Sequence, residues 1–169
     1  MRRLALALLL MTAAAPHAAA RPNLAAWTGV GQGRADCSSC HFDGETKRND
    51  SALSLSGLPK RVVAGREYDL ELVLASPGVV SAGFLIRAEG SGGGAFSSVD
   101  KRIDVEGAAA RSATEGGEGE NDVARWIFRW RAPASVEGAI TFHVAANAGN
   151  DDMSPFGDQL YLSSFEVRP

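Results

Sequence analysis

Val123-Ala124-Arg125-Trp126-Ile127-Phe128-Arg129-Trp130-Arg131 decides the fold. Trp126, Phe128 and Trp130 fall on one side of an extended chain, and Arg125, Ile127, Arg129 and Arg131 on the other. Successive strand side chains point to opposite faces, so period two over nine residues predicts a half-buried β-strand. A tryptophan stripe can also stack on sugars, but alternating aromatics in a β domain more often fill the core, and that is the reading adopted.

The same period recurs on either side. Ala132-Pro133 ends the strand, Gly138 opens a next one with Ile140, Phe142 and Val144 alternating against Thr141 and His143, and Leu160 to Val167 predicts a last one. Upstream, Ala52 to Leu58 predicts a first strand. Tyr68, Leu70, Leu72 and Leu74 alternate with Glu67, Asp69, Glu71 and Val73. Ser76-Pro77-Gly78 is a turn, and Ala82 to Ala88 a strand with Phe84 and Ile86 opposite Leu85 and Arg87. Ala95 to Val105 predicts one or two short strands. The glycine-rich acidic stretch Glu115 to Asp122 and the polar stretch Asn147 to Gly157 predict solvated loops. Short strands, turn signals and no helical period define the expected fold class: all-β, an antiparallel immunoglobulin-like β-sandwich over 51–169.

The 169 residues hold 17 Lys and Arg against 20 Asp and Glu, a formal charge of −3. A mildly acidic chain without a basic cluster argues against nucleic-acid binding. The N-terminus predicts export. Met1-Arg2-Arg3 is a short basic region, Leu4 to Met11 is apolar but too short to span a bilayer, and Ala18-Ala19-Ala20 offers a cleavage site. Residues 1–20 therefore read as a signal peptide, with no transmembrane segment after its removal, and the mature chain is expected in the periplasm, outside the cell or at its surface.

Between these parts, residues 21–50 lack periodicity and read as a short irregular haem-binding segment. Cys37-Ser38-Ser39-Cys40-His41 has the spacing of a c-type haem attachment site. Cys37 and Cys40 can each add across one vinyl group to form thioethers, and His41 then supplies the proximal imidazole to iron. The implied cofactor is covalent haem c, the implied role electron transfer or another haem-based redox function, and the implied partner a redox protein. Three other readings remain open for the pair: a disulfide, a thiol–disulfide redox pair, and a zinc site that still needs a fourth ligand. Leu24, Trp27, Val30 and Phe42 are the large apolar groups of the segment, suited to packing on a porphyrin or on the neighbouring domain.

Trp126 to Pro133 followed by Gly138 to Phe142, with Asn147, Asn150, Gly157 and Asp158, resembles the reelin-like sandwich of bacterial choice-of-anchor V domain proteins. Trp27-Thr28-Gly29-Val30-Gly31 ahead of the Cys-x-x-Cys-His resembles that family's opening, and Leu55 to Pro59 with Gly65 and Tyr68 fits as well. The resemblance implies an exported reelin-like sandwich behind an N-terminal haem c motif, with surface association, and implies neither substrate nor reaction. Where the family's larger members continue into an anchor, none is expected after Pro169.

Some thirty residues are too few to bury a haem, so any haem is expected to pack on the sandwich or stay exposed. His143, on the face opposite Ile140, Phe142 and Val144, and Met153, in Asp151-Asp152-Met153-Ser154-Pro155, are the candidate distal ligands. Asn147, Asn150, Asp151, Asp152 and Asp158 offer oxygen donors for calcium but lack the spacing of a calcium loop, so a plain loop is expected. The rival to the haem protein is a non-enzymatic extracellular or surface interaction module whose Cys37–Cys40 pair is a disulfide.

Overall fold

The computed structural model describes residues 46–113, 117–150 and 156–169. The order of elements is β1 (Lys47–Arg48), β2 (Leu53–Ser56), β3 (Glu67–Ala75), β4 (Ser81–Glu89), β5 (Ala95–Ser97), β6 (Ile103–Glu106), β7 (Ala109–Ser112), β8 (Val123–Arg131), β9 (Ile140–Gly149) and β10 (Gln159–Val167). They form two sheets, one of six strands in the order β1-β10-β9-β4-β7-β6 and one of four in the order β2-β3-β8-β5. Every pairing is antiparallel except the parallel contact of Lys47 and Arg48 with Tyr161 and Leu162. The expected all-β sandwich is the observed fold.

The stripe of Trp126, Phe128 and Trp130 faces inward, all three at most 3% exposed. Its register sets Tyr68 beside Trp130, Leu70 beside Phe128 and Leu72 beside Trp126. From the other sheet, Phe84 meets Trp126 with ring centroids 4.9 Å apart, and Phe142 meets Trp130 edge-on at 4.9 Å. Phe96 lies edge-on to Phe128 at 5.5 Å. Offset and edge-to-face packing sets the positive edge of one ring against the negative face of another, adding about 0.5–1.5 kcal/mol per pair to area burial. One polar pair crosses this core, Ser76 Oγ to Tyr161 OH at 2.8 Å, so neither buried hydroxyl lacks a partner.

Two expected loops are more structured than their composition indicates. Within Glu115 to Asp122, the Gly117 carbonyl accepts from the Ala82 amide at 2.6 Å and the Gly119 amide donates to the Val80 carbonyl at 2.8 Å. This strip is clamped on the start of β4 instead of lying free in solvent. A Cβ at Gly117 would run into the Ala82 carbonyl, so the close approach needs glycine there. Asn121 and Asp122 then take φ of 52° and 64° between the doubly hydrogen-bonded Glu120 and Val123. That two-residue reversal, with both central φ positive, suits the twist of the strands it joins. Asn147 and Gly149, expected in a loop, lie in β9 instead, because Gly83 and Ser81 of β4 pair with them.

Candidate functional site

The two outer faces of the sandwich differ in kind. On the four-stranded sheet, register places Glu67 opposite Arg131 and Asp69 opposite Arg129. Arg129 Nε lies 2.9 Å from Asp69 Oδ1, Arg131 Nε 3.0 Å from Glu67 Oε1, and Arg125 Nη1 3.3 Å from Glu71 Oε1. This ladder solvates the face, with Ile127 standing 62% exposed among the charges. Such open pairs are screened and add little stability each, but they partner the outward charges of the two longest strands of that sheet.

The hydrogen bond from Arg131 holds the Glu67 carboxyl below the usual glutamate range. Because the folded value is the lower one, the ionised form is favoured by folding, and that contribution is lost as pH falls through the folded value. Asp100, bonded by Arg102, behaves in the same sense. A carboxyl-detected NMR titration is expected to give Glu67 a midpoint below 4.5, and Arg131→Gln should return it toward that value. An unmoved midpoint would show that the pair does not persist in solution.

On the six-stranded sheet the outer face combines apolar and ionisable groups. His143 points outward from β9, as alternation predicts, and it is half-buried. Its Nδ1 lies 3.1 Å from Ser164 Oγ and its Nε2 3.7 Å from Glu89 Oε2, while Arg87 Nε lies 3.4 Å from Glu89 Oε1. A ligating histidine commonly uses one nitrogen for the metal and anchors the other in a hydrogen bond. Here Ser164 supplies the anchor, and iron at Nε2 would require Glu89 to turn aside. Ser164 and Glu89 come from the neighbouring strands on either side, and nothing in the pattern around His143 announces them.

Cys37, Cys40, His41 and Met153 lie outside the described residues. Among the described residues no group of three or more His, Cys, Asp or Glu side chains is placed to hold a metal ion. Also among them, no helix is long and apolar enough to cross a membrane. Asp158 is buried, and a Cβ on Gly149 would sit 3.2 Å from its carboxylate, so this acid belongs to the packing of the β9–β10 end of the sheet.

No protein-family model and no curated protein matches this chain. Solved structures do. The reeler domain of human F-spondin superposes with a TM-score of 0.54 at 18% identity, covering 73% of this chain and 93% of that one. The Reelin-N domain of F-spondin superposes with a TM-score of 0.56 at 16% identity, covering 78% of this chain and 95% of that one. At such identity the likeness speaks to architecture alone. The two sheets, their aromatic core and these superpositions together give the chain a reeler-type β-sandwich fold.

Proposed function

We propose that this chain is an exported, non-enzymatic β-sandwich module that acts by presenting its outer faces to other molecules outside the cytoplasm. The observation that carries the reading is the near-complete coverage of isolated reeler domains by this sandwich. Its secretory N-terminus agrees, and the longest strands spend their inward side chains on the core and their outward charges on the ladder. The family resemblance to choice-of-anchor V proteins belongs to the same proposal, and with it a surface association.

A second reading is favoured by one specific feature, the Cys37-Ser38-Ser39-Cys40-His41 motif. In it the module carries a covalent haem c on Cys37 and Cys40 with His41 as the proximal ligand, and serves electron transfer. The haem would supply one-electron chemistry; the protein would tune it through the axial ligand and the polarity of its surroundings. His143 and Met153 stay the candidates for the sixth position.

One experiment separates the two. The chain is made in a host equipped for c-type haem attachment, then assayed by pyridine haemochrome absorbance and intact mass. The module reading expects no haemochrome and a mature chain lighter than its reduced form by two hydrogen atoms, as a disulfide requires. A haemochrome and the added mass of one haem, both lost in Cys37→Ser and Cys40→Ser, would establish the second reading. In that event, reduced-state spectra of His143→Ala and Met153→Ala identify the distal ligand.

A further inference from the structure

The loop that joins β2 to β3 is fastened by one buried side chain and a set of backbone bonds. Val62 is buried, and its amide donates to the Arg168 carbonyl at 2.8 Å. The Val63 amide donates to Tyr68 OH at 2.9 Å and the Gly65 amide to the Pro133 carbonyl at 2.9 Å. The Arg66 carbonyl accepts from the Ala132 amide at 2.9 Å. These bonds tie the loop to the ends of β8 and β10, so it sits fixed at one end of the sandwich. Its side chains Lys60, Arg61, Val63, Ala64 and Arg66 are all exposed, Val63 by 52%. Arg168 is exposed beside them, sharing Glu166 at 2.6 Å. Charge sets the loop apart from the sheet faces. Arg87, Arg111, Arg125, Arg129 and Arg131 on the strands each have a carboxylate oxygen within 3.4 Å. Lys60, Arg61 and Arg66 have no carboxylate partner among the described residues, and no acidic residue occurs from Gly57 to Arg66.

We propose that this loop is a contact for an anionic phospholipid surface. Lys60, Arg61, Arg66 and Arg168 face the headgroup phosphates, and Val63 and Ala64 rest at the polar–apolar boundary between them. A negatively charged bilayer attracts basic side chains that come within a Debye length, and each one near the surface strengthens binding about 5-fold. The apolar tip favours lipid over a hydrophilic polyanion, because only a bilayer offers an apolar phase to receive Val63. The rest of the sandwich sets the orientation. At the far end of β8, nine residues or about 30 Å away, Glu118, Glu120 and Asp122 are exposed. An anionic surface repels that end, so the module approaches with the β2–β3 loop first. The inference rests on the module reading, in which outer surfaces make the contacts, and names which surface does so and against what chemistry. Whether Cys37 and Cys40 carry haem or a disulfide does not enter it.

The test is co-sedimentation of the full mature chain, without the apolar Leu4–Met11 stretch, with vesicles of phosphatidylglycerol and phosphatidylcholine in equal parts or of phosphatidylcholine alone. Binding is expected to the mixed vesicles only, and to fall about 10-fold or more between roughly 0.05 and 0.5 M salt. Lys60→Gln with Arg61→Gln should weaken it about 25-fold, two steps of about 5-fold. Arg125→Gln with Arg129→Gln removes the same charge from the sheet face and should change it by less than about 2-fold. Val63→Ser should weaken it by about 3-fold or more. The near-ultraviolet signal of Trp126 and Trp130 reports that each variant is folded. No binding at low salt, equal binding to both vesicles, or equal losses in the two double variants would each overturn the inference. Retention on immobilised alginate without vesicle binding would assign the loop to an acidic polymer and overturn it too. The vesicle and salt arms need no variant, so a substitution that failed to fold would still leave the inference decided. A chain without haem that also ignores both vesicles would lose this inference and keep the module reading, which the haemochrome and mass assay decides separately.

Discussion

Trp130→Ala is expected to destabilise the domain by about 3–5 kcal/mol, the usual cost of removing a buried aromatic and leaving a cavity. Trp130 is fully buried, its ring stacks on Tyr68 at 5.7 Å and meets Phe142 edge-on, and its indole N–H donates to the Gly93 carbonyl at 2.9 Å. The substitution therefore removes packing from both sheets and strands the carbonyl that orders the β4–β5 connection. Against a total stability of about 5–15 kcal/mol, such a loss takes a large part of the whole. Ile127→Ala, on the same strand but facing out, should change stability by no more than about 0.5 kcal/mol. Guanidinium chloride unfolding of the two variants measures the contrast. Equal small losses would mean that the tryptophan stripe is not the core, and would reopen its use as a binding surface.

Gly94→Ala should cost about 2–5 kcal/mol from two sources that add. Gly94 sits at φ +77°, where a Cβ costs roughly 1–2 kcal/mol. That Cβ would also collide with the Arg131 carbonyl and come within 2.7 Å of Trp130 Nε1, an overpacking worth about 1–3 kcal/mol. Gly107→Ala is the matched control, since φ there is +56° but no atom lies within 4 Å of the added Cβ. It should show the backbone part alone. If both variants lose the same amount in thermal or denaturant unfolding, the loop does not press on Trp130 as described.

The two long strands of the four-stranded sheet were legible from residues alone. In Glu67–Ala75 and Val123–Arg131 inward apolar side chains alternate with outward ones that are charged except at Val73, Ala75, Val123 and Ile127, because one face is core and the other solvent. The fold class followed from them. The β7 strand was not legible: Ala109 and Ala110 are both buried, one on each face, so no alternation marks it. The Gly117–Glu120 strip reads as loop because its glycines serve close backbone approach, a need that composition cannot distinguish from flexibility. Of the candidate site, the outward direction of His143 was legible. Its engagement with Ser164 and Glu89 was not, since it depends on which strands flank β9.

By itself the sequence determined the β-sandwich, since strand period is a local pattern, and the same kind of local pattern raised the expectations of export and of a Cys-x-x-Cys-His site. Tertiary structure alone decided which strands are neighbours, and therefore that Leu85, Ala145 and Leu162 form one row. Alternation correctly placed Leu85 on the side away from Phe84 and Ile86, but it carries no information about what lies above that side. Sidedness is a property of a single strand, whereas burial on an outer face depends on chain that arrives from elsewhere. The entry of β1 beside β10, pairing residues more than a hundred positions apart, is a long-range contact that no local pattern announces.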